Sequence, residues 1–492
     1  MGVKVEWPLL FKADPRILTV LPTDTIWPDP RFPRMDIILS DQTASVQSMN
    51  FTGCGNVYTS GFEFRRRLLL KFCRENLSYH AHTLVLLWDK PWTTPRRAEM
   101  YALKRYAVPE VDVPVPVGKV RACDGRFYHP GSAPIPRFNP ETGLGMKRSD
   151  VITETSMEPL PQLLASSWTK LVLAEFICKS LWEFAQSRPE HFIFDTPMVE
   201  GDELCDGTVK CNKGSECVEC YGPEKIKINE IARHGEADVL FLFHIRRLYA
   251  NQALKDGGSF LVRGTNDRDL LAVLAIPDLA DRIIWCKGTN NYAMSPSGEW
   301  EKPGALTGDP IPCHEYISMA RVVKLFSSDG LVNMLFTRLM LLFFYGGDYC
   351  ECPKGITATA LNATVFSPLE PIVLVVNATT LALDITALHY FIQNAVGRSV
   401  RCKSRLEASN LLKCTLDAFF SLCYYTGFHC DFSHVGVGVP VGPNVLEFGY
   451  TGPGWKYEEK PDLLALFKPL VEPVLAREGG ETPFLVYDYA ME

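Results

Sequence analysis

Short apolar runs separated by amphipathic stretches dominate the chain, and this pattern predicts alternating strands and helices. Met35–Asp41 and Thr83–Trp88 read as short buried strands, with Phe62–Leu77 between them at helical spacing and carrying the basic triplet Arg65, Arg66 and Arg67. Strand, helix, strand is the parallel crossover unit of α/β proteins. Ser166–Gln186 reads as a helix capped by Ser166 or Ser167, with Leu171, Ala174, Cys178, Leu181 and Ala185 along one face. His191–Asp195 and Ala237–Phe243 follow as apolar strands, then a helix over Ile245–Leu254 that stops at Asp256-Gly257-Gly258. Ser259–Val262 and Arg282–Trp285 extend the series of strands. Beyond them lie an apolar helix Leu331–Tyr345, a strand Ile372–Val376, and helical stretches over Asp384–Val396 and Leu406–Tyr425.

Breaks in this pattern suggest boundaries. Six prolines between Pro8 and Pro33 mark an extended arm. The stretch 107–145 is rich in Pro and Gly, which remove backbone donors and favour loops. The expected organisation is an N-terminal arm and α/β unit (1–106), a Pro/Gly-rich linker (107–150), a central domain (151–305) with a cysteine-rich insert (205–220), and a C-terminal α/β domain (306–492).

Composition narrows the class. A chain of 492 residues exceeds one ordinary core, and 47% hydrophobic with 22% charged residues is a globular composition. A net charge of −7 provides no global basic field for nucleic acid, so any RNA contact needs a local patch, with the Arg65–Arg67 triplet as the candidate. The run 331–345 is short and carries Arg338, which suits a buried helix better than a membrane span. The N-terminus offers no apolar signal-like run. A cytoplasmic location with sixteen reduced cysteines is therefore expected, with the sequons at Asn50, Asn76, Asn362 and Asn377 unused.

Four of those cysteines fall in one short loop. Cys205, Cys211, Cys217 and Cys220 lie within sixteen residues, flanked by Gly207 and Gly214. Thiolates at such spacing can wrap a tetrahedral zinc that stiffens a loop too polar to pack alone, and a reduced cysteine-rich loop is the alternative.

Glu236-Ala-Asp-Val-Leu-Phe-Leu-Phe243, a helix, and Ala253-Leu-Lys-Asp-Gly-Gly-Ser-Phe-Leu-Val262 resemble the fourth and fifth strands of Rossmann-like S-adenosylmethionine-dependent methyltransferases. With Trp168-Thr-Lys170 upstream, Phe194-Asp195-Thr-Pro197 and Gly201 next, and Lys287 and Ser295-Pro-Ser-Gly-Glu299-Trp300 downstream, the order is similar to FtsJ-type RNA 2′-O-methyltransferases, which include viral cap methyltransferases. The resemblance covers about residues 165–300. It implies a Rossmann-like methyltransferase-type sheet with additional N- and C-terminal α/β regions. It implies S-adenosylmethionine bound near Asp195, Gly201 and Asp238, with Lys170 and Glu299 as the outer members of a Lys–Asp–Lys–Glu tetrad.

Two positions depart from that family. Phe243 stands where the strand should end in Asp, and Arg263 stands where the second lysine should be. Arginine stays protonated, so Arg263 can bind a phosphate or stabilise an alkoxide but cannot act as a base. Asp41, Lys90 and Glu99 echo three tetrad members in the N-terminal unit. Their spacing leaves no room for the intervening strand and helix, and only the proline-rich arm precedes Asp41. The functional expectation is an eroded RNA cap methyltransferase of viral type; the alternative is a structural or RNA- or protein-binding chain that keeps the fold without the chemistry.

Overall fold

The computed structural model describes residues 7–43, 60–88, 167–195, 237–264, 277–304, 308–327, 331–344, 371–377 and 380–384, with shorter pieces between them and up to residue 431. The chain divides into two compact units. One comprises Leu18–Asn266 and Asp281–Ser318, the other residues 1–17, 267–280 and 319–492.

The larger unit is an α/β structure built on a nine-stranded, largely parallel sheet. Its strands are β1 (Leu18–Pro22), β2 (Arg34–Asp41), β3 (Thr83–Leu87), β4 (His191–Asp195), β5 (Lys210–Cys211), β6 (Gly258–Arg263), β7 (Ile283–Met294), β8 (Trp300–Glu301) and β9 (Ile311–Ser318). Across the sheet the order is β1-β9-β7-β6-β2-β3-β4-β5, with β8 paired to the outer part of β7. The five strands from β7 to β4 are mutually parallel. β9 runs against both β7 and β1, and β5 runs against β4.

Continuous burial explains why the inner strands read as uninterrupted apolar runs. β3, β4 and β6 are buried at every position, and β2 at every position after Arg34. A parallel sheet covered on both faces demands this pattern. One cover is α2 (Gly61–Asn76), which starts with a capping arrangement in which the Ser60 hydroxyl accepts from the Glu63 amide. Its Phe64, Leu68 and Phe72, spaced four apart, pack with α3 (Ser167–Gln186) over Leu84, Leu86, Phe192 and Phe194. Each such side chain contributes roughly 1.5–3 kcal/mol when fully buried. Successive strand residues face opposite ways, so Asp195 next to Phe194 points to the other face. There it meets α4 (Ala237–Ala250).

This arrangement corrects several expectations. Ala237–Phe243 is the first half of α4 rather than a strand, so Asp238 lies in the first turn of a helix and not on a strand beside Asp195. Its apolar run is continuous because the helix is buried, and a buried helix segment and a buried strand share that signature. The segments 1–106 and 151–305 are not separate sheets, because β2 pairs directly with β6, residues 34–41 against 258–263. The boundary near 305 moves to Met319, because β9 completes the sheet. Within the expected linker, Val120–Arg121 pairs with Phe127–Tyr128, and the rest of 107–150 lies outside the described residues.

The second unit contains α1 (Trp7–Ala13), α5 (Met319–Ser327), α6 (Val332–Phe344) and a small sheet of β10 (Val373–Asn377), β11 (Thr380–Leu383) and β12 (His429–Asp431). Arg338, the charge inside the apolar run, donates to the Leu325 and Phe326 carbonyls and thereby satisfies the end of α5. Thr337 bridges α6 to β10 through the Ile372 and Val373 amides. No single helix among the described residues is long and apolar enough to cross a membrane; only α5 and α6 taken together, bent by 101°, reach that length and composition. The helices expected over 384–396 and 406–425 lie mostly outside the described residues.

Candidate functional site

Numbered along the chain, the five parallel strands stand in the order fifth, fourth, first, second, third. Strand order therefore reverses direction between β2 and β6, and open α/β sheets bind ligands outside the carboxyl ends of the strands at such a point. Ser40 and Asp41 end β2 there, Gln42 follows, and all three are buried, with Gln42 Nε2 donating to Ser40 Oγ at 3.0 Å. Directly opposite, Gly264 follows β6 with φ +88°, and a Cβ at that position would lie 2.5 Å from the Asp41 carbonyl oxygen. Only glycine lets the two strand ends approach so closely.

Arg263 pairs in register with Ser40 but turns inward. Its guanidinium lies over the Tyr79 ring, 5.2 Å from the centroid, and Tyr79 shares a 2.8 Å hydroxyl hydrogen bond with Tyr316. Burial opposes its charge, but the nearby Tyr79, Cys286 and Glu75 more than offset that, so its pKa stays above the ordinary arginine value. The same burial raises the pKa of Tyr79 and of the Cys286 thiol. Nη1 of Arg263 is buried without a hydrogen-bond partner among the described residues. Arg263 is thus a fixed internal cation under the sheet edge.

Beside it, β7 bulges. Cys286 pairs with Tyr316 and Gly288 with Glu315, so Lys287 is the extra residue. Bulges at sheet edges re-aim side chains. The Lys287 ammonium meets Glu315 Oε2 at 2.9 Å, while Tyr292 Oη and Asn290 Nδ2 donate to Oε1 at 2.6 and 2.8 Å. Burial acts to raise the Glu315 pKa, but these donors outweigh it and hold the carboxyl below its ordinary value. A second amine, Lys71 on α2, donates to the Ser45 carbonyl just past β2 at 3.0 Å. Burial lowers its pKa and Arg74 and Arg263 add to the effect, against an opposing contribution from Glu75. An amine made less basic is what proton abstraction at neutral pH requires.

His314, the neighbour of Glu315 on β9, is pushed down to about 4, first by burial and then by the Arg263 charge. A histidine depressed in the folded state takes up its proton more readily when unfolded. Its contribution to stability is complete above about pH 6.5 and is lost as pH falls from there through about 4. Stability measured by denaturant midpoint should decline across that window, and His314→Gln should flatten the decline. An unchanged slope in the variant would rule out His314 as its source.

At the end of β4, Asp195 Oδ2 accepts from His244 Nε2 at 2.8 Å, and Arg247 Nη2 donates to His244 Nδ1 at 3.0 Å. Because Nδ1 accepts, the imidazole is neutral with its proton on Nε2. All three side chains are buried, which makes this a lock between β4 and α4.

The residues expected to act together are scattered by the fold. Lys170 lies in the first turn of α3, and Glu299 is exposed in the turn after β7 that Ser295 closes through its hydroxyl. β4, which α3 helps to cover, and β7 are four strand spacings apart, about 19 Å. Asp195 ends the third of the parallel strands rather than the first. In sequence Gly53-Cys54-Gly55 follows the first parallel strand, outside the described residues. In the basic triplet, Arg65 pairs with Glu183 and Arg67 with Glu63, and Arg66 is exposed with no ion pair among the described residues. Lys90 and Glu99 lie outside the described residues.

The cysteine-rich insert gathers a different set from the one the spacing suggests. His191, Cys211 and Cys217 bring their ligand atoms within 4.8 Å of one another and could hold a metal ion. Cys205 belongs to a hairpin in which Glu203–Cys205 pairs with Met198–Glu200, and Cys220 lies outside the described residues. His191 sits twenty residues ahead of Cys211 inside an apolar run, so no local motif marks it.

No protein-family model matches the chain, and no curated protein matches it.

Proposed function

We propose that this chain is an S-adenosylmethionine-dependent, RNA-directed methyltransferase-like protein whose ligand site lies between the carboxyl ends of β2 and β6. The observation that carries the reading is the reversal of strand order there, in a sheet whose parallel strands follow the doubly wound nucleotide-binding order. The reversed β9 beside the fifth parallel strand also suits the Rossmann-like methyltransferase superfamily. Under this reading the cofactor lies against the backbone at Gly264, between the ends of β2 and β6. S-adenosylmethionine, when bound, supplies an electrophilic methyl group. Lys71 is then the amine suited to take a proton, and Lys287, oriented by Glu315, faces the ribose or phosphate oxygens.

The test has two stages. Isothermal titration of the full chain with S-adenosylmethionine should show saturable binding, and its absence would remove the proposal. Methyl transfer to capped RNA should follow, with Lys71→Met and Lys287→Met abolishing turnover while retaining cofactor binding. Lys170→Ala should leave turnover intact. Binding without turnover in the wild-type chain would favour a protein that keeps the fold without the chemistry, a reading supported by the buried arginine at position 263.

The metal best suited to the His/Cys/Cys group is zinc, since thiolate with imidazole is the donor set of closed tetrahedral zinc sites.

A further inference from the structure

We infer that His191 joins Cys211 and Cys217 as a zinc ligand, so that the metal staples the buried sheet itself rather than closing a free-standing four-cysteine loop. This rests on the zinc reading above and adds its consequence for the sheet.

His191 is the first residue of β4 and is buried, and Cys217 Sγ lies 3.4 Å from its Nε2. Sulfur and nitrogen bound to one tetrahedral zinc are separated by about 3.6 Å, given Zn–S near 2.3 Å and Zn–N near 2.0–2.1 Å. Cys211 reaches the same point from β5, which pairs with β4 through Ile193. A tight turn brings the chain back, with the Gly214 amide donating to the Cys211 carbonyl and the Cys217 amide to the Gly214 carbonyl.

Asn212 fixes the approach. Its Oδ1 accepts from the Phe192 amide at 2.9 Å, and its Nδ2 donates to the Ala185 and Glu190 carbonyls at 3.0 Å each. The end of α3, the start of β4 and the cysteine turn are therefore tied together around the three donors. The Cys205 hairpin instead begins three residues past Asp195, at the opposite end of β4 from His191.

Elemental analysis of the purified full chain, with cobalt(II) substitution for spectroscopy, tests the assignment. The wild-type chain should carry one zinc, and its cobalt form should show tetrahedral d–d bands with thiolate charge transfer. His191→Asn should lose the metal, His191→Cys should regain it with red-shifted cobalt bands, and Cys205→Ser should keep it. A His191→Asn chain that retains zinc beside a Cys205→Ser chain that loses it would overturn this inference and leave zinc itself standing. Metal loss in His191→Asn without rescue by His191→Cys also counts against the ligand role. A wild-type chain free of zinc would overturn both readings.

Discussion

Asp195→Ala is expected to lower the unfolding free energy by about 3–5 kcal/mol, the usual cost of removing one partner from a buried charged network. The carboxylate receives the His244 Nε2 proton, and Arg247 leans on the other side of the same imidazole. Removing it leaves the buried neutral ring without this acceptor, while Arg247 still donates to its Nδ1. Asp195→Asn keeps an acceptor oxygen but not the charge, and its loss should fall between wild type and alanine. Denaturant titration reads the effect as a shift in midpoint at constant m-value. A shift worth less than about 1 kcal/mol would mean that the network is not a lock between β4 and α4.

Gly264→Val should cost more than any other single glycine substitution at the sheet edge, and it should also abolish ligand binding. Two effects combine at this position. A side chain at φ +88° is strained in itself, and the Cβ would meet the Asp41 carbonyl oxygen at 2.5 Å and its amide nitrogen at 3.0 Å. Neither atom is the movable end of a side chain, so β2 and β6 would have to part. Gly214 supplies the control, because it has φ +85° with nothing within 4 Å of a Cβ. Gly214→Ala should therefore cost only the backbone contribution, roughly 1–2 kcal/mol. Comparable losses at the two positions would show that close approach at the strand reversal is not what Gly264 provides. A Gly264→Val chain that folds and still binds S-adenosylmethionine would remove the site from this edge.

Elements that depend on local patterning could be read from the residues alone. Met35–Asp41, Thr83–Trp88, His191–Asp195 and Ser259–Val262 coincide with β2, β3, β4 and β6 to within one or two residues, and Ser166–Gln186 coincides with α3. Apolar continuity and capping residues act over a few positions and are visible in any window of the chain. The buried helix around Arg338 was legible for the same reason, since one charge in a short apolar run can be satisfied by nearby carbonyls.

Ala237–Phe243 shows where that reading fails, because a buried strand and one turn after another of a buried helix are equally apolar. Pairing between distant segments lies further out of reach. Nothing local indicates that residues 34–41 lie beside 258–263, or that the strand order reverses between them, and this pairing decides which loop faces a ligand. The same applies to side chains that meet only across strands. Lys287 and Glu315 are twenty-eight residues apart and are joined by a bulge, and His191 reaches Cys217 over twenty-six residues. Sequence by itself determined the α/β class and the strands at 35–41, 83–88, 191–195 and 259–262, and it marked the cysteine-rich stretch as a candidate metal site, because those follow from residue type and short-range period. Tertiary structure alone decided the sheet order, the identity of the amines at its edge and the approach of His191 to Cys211 and Cys217, because hydrogen bonding between strands carries no trace in the spacing of either partner.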